Sequence, residues 1–270
     1  MKVSLVTLED TQKPAISELF DKLSEKKEIA VSQGDEELAN NCWREEEALK
    51  LNILYIEAFA KLKEHEYREA WQDLERCEIN ANFISENSGD SFLRKSRVSF
   101  IKEKVAGWQS IYPYCVFASP GFTVGYYTCS ICDRKIRPRS RCSHKKGRIY
   151  NGELCLHVAH DLEFLELSIV TKPVQKYSVL HDDDTLDFSI IDHLLELLDH
   201  AFEDWRLNWT RKAFPIDRFS NVQPDAECPC KSGKTFEQCC LGKTEVEIPH
   251  VDFVLSKELP ESKEEVRFPY

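Results

Sequence analysis

The chain has 270 residues, 42% of them hydrophobic and 31% charged, enough for one large domain or two to three small ones with a packed core, which argues against global disorder. No apolar run approaches the ~20 residues that span a bilayer, and the N-terminal MKVSLVTLEDTQKP lacks the apolar stretch of a signal peptide, so a cytoplasmic protein is expected. The formal net charge of −11 argues against generic nucleic-acid binding, because phosphate contact needs Lys and Arg.

Thr7-Leu-Glu-Asp10 reads as a capping box, and Pro14 suits a first helical turn. Ile16, Leu19, Phe20 and Leu23 then share one stripe of a helix that Gly34 ends. Residues 35–64 are strongly helical, and a second helix from about Tyr67 to Ile79 completes a hairpin. Within it, LYIEAFAKLKEHEYREAWQDLERCEI places Tyr67, Ala70, Leu74 and Cys77 where small or apolar residues pack between helices. This segment resembles a single tetratricopeptide repeat, but no second repeat follows at a 34-residue interval, which favours an ordinary helical hairpin. Residues 80–90 read as a linker. Residues 91–110 read as a helix with Phe92, Val98, Ile101, Val105 and Trp108 on one face.

The pattern then turns to β-structure. YCVFA and FTVGYYT, separated by Ser119-Pro120-Gly121, read as a hairpin, and Asn151-Gly152 is a second hairpin signal. After it, Leu154, Leu156 and Val158 alternate with Cys155, His157 and Ala159, and FLELSIVTKP reads as a further strand ended by Pro173. Residues 186–212 return to helix, with Ile190, Leu194, Leu197, Leu198, Ala201 and Trp205 on a broad apolar stripe behind the acidic Asp182, Asp183 and Asp184. From Pro215 the chain reads as loop, ending in a polar tail.

Eleven cysteines in a reducing compartment point to metal where they cluster. Cys42, Cys77 and Cys115 are isolated and read as small core residues. The first cluster is Cys129-x2-Cys132-x9-Cys142-x-His144. A Cys-x-x-Cys knuckle turns two thiolates toward one ion, and a later close pair completes a tetrahedron, which suits a structural zinc. Cys155 is an alternative fourth ligand, and His157 and His160 could approach. Between and beyond these ligands run eight cations, Arg134, Lys135, Arg137, Arg139, Arg141, Lys145, Lys146 and Arg148, against the single acid Asp133. The segment reads either as a solvated basic loop or as a docking surface for an anionic partner. Tyr126, Tyr127 and Tyr150 flank it and could stack on bases.

The second cluster is CPCKSGKTFEQCC, residues 228–240, with Cys228, Cys230, Cys239 and Cys240 as ligands around Lys231-Ser232-Gly233-Lys234 and Phe236. It resembles the SEC-C motif, named for the C-terminal zinc tail of the SecA preprotein translocase ATPase. That pattern has a Cys-x-Cys pair, a Gly-Ser-Gly-Lys-like turn, an aromatic residue, then Cys followed by Cys or His. Lys231 stands where the pattern usually has its first Gly. The resemblance implies a zinc-dependent module that docks a partner; in the translocase family the tail contacts a chaperone and ribosomes. A knuckle this small folds only with its metal.

A weaker resemblance links Thr123-Val124-Gly125 and Glu166-Leu-Ser168-Ile-Val170 to the distal part of phage prohead maturation proteases. It would make Ser168 the position to test as a nucleophile, but no histidine stands out as its base, and no Gly-rich phosphate loop is present.

These readings combine into an α+β protein: a helical domain over 1–110, a β-rich zinc-binding domain over 111–180, an amphipathic helix over 181–214, a SEC-C-like zinc knuckle over 215–250 and a tail over 251–270. The expected function is a non-enzymatic adaptor holding two zinc ions and docking a protein partner. Nucleic-acid or ribosome binding through the basic segment 134–148 is the alternative, and a prohead-protease-like serine peptidase the second alternative.

Overall fold

A computed structural model describes residues 5–137, 139 and 142–256. The fold is α+β and divides into two units, 1–202 and 203–270. No helix among the described residues is long and apolar enough to cross a membrane.

The first unit opens with helices α1 (Leu8–Thr11), α2 (Pro14–Ser32), α3 (Glu36–Lys63), α4 (Tyr67–Glu86), α5 (Asp90–Lys95) and α6 (Val98–Ile111). Asp35 caps α3 by accepting the Leu38 amide. His65 takes the left-handed position (φ 61°) between α3 and α4, while the Glu66 amide reaches back to the Lys61 carbonyl, so the hairpin closes as a Schellman turn without its usual Gly. Leu51, Tyr55 and Leu62 of α3 pack with Ala70, Leu74 and Cys77 of α4 and with Ile101 and Trp108 of α6, all essentially without solvent exposure. Each large side chain buried this way stabilises by about 1.5–3 kcal/mol.

Helix α4 runs on to Glu86, through most of the stretch read as a linker. Its apolar stripe continues through the fully buried Ala81 and Ile84, which outweighs the polar Asn80 and Asn82 around them. The helix expected over 91–110 is broken into α5 and α6 at Arg97, whose backbone is left-handed (φ 64°) and whose side chain donates to the Leu5 carbonyl. Cys42 and Cys77 are buried, but Cys115 is exposed. It lies in an extended segment where Tyr112 and Tyr114 take the inward positions, so alternation turns Cys115 outward.

The β-structure consists of β1 (Phe117–Cys129), β2 (Lys135–Ile136), β3 (Ile149–Tyr150), β4 (Glu153–Leu154) and β5 (His157–Val170). Strand β1 pairs antiparallel with β5 along its length and with β2 at its end, giving the order β2-β1-β5. The hairpin expected at Ser119-Pro120-Gly121 is absent: these residues lie within β1, opposite Ser168, Leu167 and Glu166. Proline is tolerated on a strand with a free edge, and Gly121 adjoins a register shift between it and Phe122 that leaves Leu165 unpaired. The two short strands expected after residue 153 are largely one strand, β5. The Asn151-Gly152 turn joins β3 to β4 with both residues left-handed (φ 48° and 76°), the type I′ geometry.

The root of this ribbon is stitched to the next segment, where the Ala118 amide donates to Ser178 O at 2.7 Å. Buried Glu75 of α4 accepts the amides of Lys176 and Tyr177 and holds that segment against the helices. Helix α7 (Ser189–Leu197) completes the unit.

The second unit is a ribbon of β6 (Trp205–Pro215) and β7 (Glu245–Leu255), joined through a 3-10 turn at Ile216–Phe219 and the short helix α8 (Phe236–Cys239). The single helix expected over 186–212 is therefore α7 followed by a strand. Trp205, Leu207 and Trp209 alternate with Arg206, Asn208 and Thr210, and this period of two prevails once α7 ends at Leu197. Val251–Leu255, read as tail, belong to β7.

Candidate metal centres

Two groups of ligand atoms gather in the fold. Cys129, Cys132, Cys142 and His144 lie within 4.8 Å of one another, as do Cys228, Cys230, Cys239 and Cys240.

The first centre grows from the end of β1. Cys129 closes the strand, its amide donates to Arg134 O, and the Asp133 amide returns to Cys129 O at 2.8 Å, with Asp133 left-handed (φ 54°). This tight loop turns Cys129 and Cys132 the same way, and β2 pairs back onto Tyr127 and Thr128 to fix it. His144 Nδ1 stands 3.6 Å from Cys129 Sγ. A tetrahedral ion with bonds of about 2.3 Å to sulfur and 2.0–2.1 Å to nitrogen separates such ligands by about 3.6 Å. Tyr150 sets the imidazole edge-on at 4.6 Å and accepts the Lys145 amide through its hydroxyl.

Cys155 is fully buried, with its Sγ 3.7 Å from that of Cys129. It stands outside the mutually close set of four. His160 is engaged elsewhere, stacked on Tyr126 at 4.7 Å and hydrogen-bonded to Thr128 Oγ1 at 2.9 Å. His157 lies opposite Cys129 across the ladder, near the Tyr127 ring.

Two asparagines, invisible to motif reading, anchor this centre to the helices. Asn87 donates to Gly147 O and accepts the Ile149 amide, and buried Asn40 accepts the Gly152 amide at 2.8 Å. Gly152 must be glycine: its φ is 76°, and a Cβ would meet the Ala39 carbonyl at 3.0 Å.

The second centre is a miniature hairpin. Glu227 and Thr235 form a bridge, the Cys228 amide donates to Lys234 O and the Lys231 amide to Cys228 O. Lys231 (φ 57°) and Gly233 (φ 75°) make the reversal. Thr235 caps α8 through the Gln238 amide, which swings Cys239 and Cys240 back toward the first pair. Cys239 Sγ lies 3.5 Å from Cys230 Sγ and 3.7 Å from Cys240 Sγ, close to the ~3.8 Å that a tetrahedral ion with metal–sulfur bonds of about 2.3 Å imposes. Phe236, 1% exposed, anchors the knuckle in a small core with Phe214, Phe219, Val246 and Ile248.

Each centre contains one thiol poised as thiolate. Burial pushes Cys129 up, but the amides of Ile131 and Cys132 together with Cys142 and His144 outweigh it and bring the thiol down to about 6. The Ser232 hydroxyl leads in lowering Cys230 to about 6, against burial. Burial pushes Cys228 up to about 12 and Cys155 up to about 11, and their thiol neighbours add to the rise. The lowered thiols of Cys129 and Cys230 give an arriving cation its first attachment, and thiols that burial holds protonated lose their protons as they bind. Four protein ligands would close the coordination shell of an ion at either centre, which suits a structural role.

The basic residues surround the first centre. Arg134, Lys135, Arg137, Arg139, Lys145, Lys146 and Arg148 are exposed, and Arg141 lies outside the described residues. Arg148 donates to Glu86 O, and Lys135 Nζ sits 3.6 Å from the Tyr126 ring centroid. Ser168 lies in β5 opposite Ser119, and its hydroxyl donates to Glu166 Oε1 at 3.5 Å.

No protein-family model, no curated protein and no solved structure matches this chain.

Proposed function

We propose that this chain is a non-enzymatic adaptor that holds one zinc ion at each cysteine centre and presents the SEC-C-like knuckle to a protein partner. The observation that carries the reading is the second centre: four thiols within 4.8 Å of one another, on a turn that Phe236 anchors in a small core with Phe214, Phe219, Val246 and Ile248. Thiolate ligands in a tetrahedral shell select zinc among redox-silent cations. A closed shell spends the metal on shape, and a rigid shape of this size serves recognition. Elemental analysis of freshly purified protein should return two zinc ions per chain, falling to one when Cys239 and Cys240 become Ser. Affinity purification from cells with the two proteins should recover a partner with the first and lose it with the second. Absence of zinc, or identical captured proteins, would overturn the reading.

The exposure of seven cations around the first centre favours a second reading, binding of RNA or the ribosome by the segment 134–148. Filter binding at low salt that disappears when Arg137, Arg139 and Arg141 become Glu would support it, and no binding at low salt would remove it.

A further inference from the structure

The ribbon of β1 and β5 has two unlike faces. Directly opposed residues share a face, so the pairs Ala118–Ile169, Pro120–Leu167, Phe122–Phe164 and Val124–Leu162 lie together, and Thr123–Glu163 and Gly121–Glu166 lie on the reverse. In β5 the apolar face falls on even-numbered residues up to Phe164 and on odd-numbered ones from Leu167. A single unpaired residue, Leu165, makes the switch, and without it Leu167 and Ile169 would point to the polar side. The bulge thus keeps one face apolar from the Ala118–Ile169 pair to the Val124–Leu162 pair.

That face is open to solvent. Ile169 is 74% exposed, Leu162, Phe164 and Leu167 are 59% exposed, and Phe122 is 49% exposed. At about 200 Å² for a fully exposed side chain of this size, the five leave on the order of 600 Å² of apolar surface. Half-exposed Pro120, Val124 and Tyr126 extend it. Such a surface reaches the share of about 600–1,000 Å² per partner found in specific interfaces, and a two-stranded ribbon with nothing on its apolar face is at best marginally stable in water.

We propose that this face is a dimer interface, occupied by the same face of a second copy of this chain. The two ribbons stack about 10 Å apart as a four-stranded sandwich. Charge is compatible with this occupant. The chain carries −11 overall, yet the acids of the ribbon, Asp161, Glu163 and Glu166, avoid the apolar pairs, so two copies meet without opposing like charges. The row is also self-complementary. A two-fold axis at mid-ribbon sets the Phe122–Phe164 pair, whose rings meet edge to face at 5.8 Å, against its own copy, as an isologous contact requires.

Sedimentation velocity on the full zinc-loaded chain should give twice the 31.4 kDa chain mass. Leu162→Glu and, separately, Leu167→Glu should return it to 31.4 kDa, while Glu163→Lys on the reverse face stays dimeric. Diluting the unmodified dimer to monomer should raise 1-anilinonaphthalene-8-sulfonate fluorescence as the apolar face opens, which tests the face without any substitution. A monomer throughout the micromolar range overturns the proposal, including the case where the face captures another protein. So does a dimer that both Glu variants retain, or one whose dissociation leaves dye fluorescence unchanged.

Discussion

Asn87, the residue that ends α4, donates from Nδ2 to the Gly147 carbonyl at 2.7 Å. Its Oδ1 accepts the Ile149 amide at 3.2 Å, so one side chain clamps the β3 strand that follows the His144 turn onto the helical body. Gly147 is buried and left-handed (φ 82°), a backbone conformation that favours glycine. The first metal centre is therefore locked to the helices through backbone groups that a single side chain satisfies.

Asn87→Ala should destabilise the protein by about 1–3 kcal/mol, the usual cost of leaving part-buried polar groups unpaired. Metal content should stay at two ions per chain, since no ligand changes. Urea unfolding followed by circular dichroism, with zinc measured on the same samples, checks both halves. An unchanged unfolding midpoint would show that the clamp is dispensable.

The geometry also separates the two thiol-distance neighbours of Cys129. His144 belongs to the mutually close set of four, whereas Cys155 stands outside it. Cys155→Ser should keep both zinc ions at a stability cost of about 1 kcal/mol for a buried hydroxyl. His144→Ala should release the first zinc to a mild chelator while the second is retained. Metal analysis after dialysis reads the result, and the opposite outcome would make Cys155 the ligand.

The metal centres were legible in the sequence because their ligands are near neighbours along the chain, and a knuckle is a local structure. The Asn151-Gly152 turn was legible for the same reason. Contacts that span the chain leave no such mark. Asn40 reaches Gly152 across 112 positions and Asn87 reaches Gly147 across 60, as ordinary polar residues on helices. Strand β5 reads as two in the sequence because Asp161-Leu162-Glu163 separates the alternation that ends at Ala159 from FLELSIVTKP, and only pairing of Leu162 and Glu163 with Val124 and Thr123 carries the strand through. Ser119-Pro120-Gly121 carries the composition of a turn, and only pairing with Leu167 and Glu166 holds it extended. Trp205 fits the spacing of the α7 stripe as well as the alternation of β6, and local sequence alone does not choose between them.

Lys231 is the one departure from the SEC-C-like pattern, and its backbone says what it costs. With φ at 57° it occupies the left-handed region, where a residue with a Cβ pays about 1–2 kcal/mol. Glycine removes that strain, while its extra freedom in the unfolded chain returns about 0.5–1 kcal/mol. The exposed ion pair of Lys231 with Glu227, at 3.4 Å, is worth about 0–1 kcal/mol and is lost as well. These effects nearly cancel for Lys231→Gly, which should stay within about 1.5 kcal/mol of the unmodified knuckle and give up zinc to a chromogenic chelator more slowly than Lys231→Ala. Lys231→Ala keeps the left-handed strain and loses the ion pair, so it should release zinc faster than the unmodified protein. Equal release from the two variants would mean that the left-handed backbone at Lys231 carries no strain for glycine to relieve.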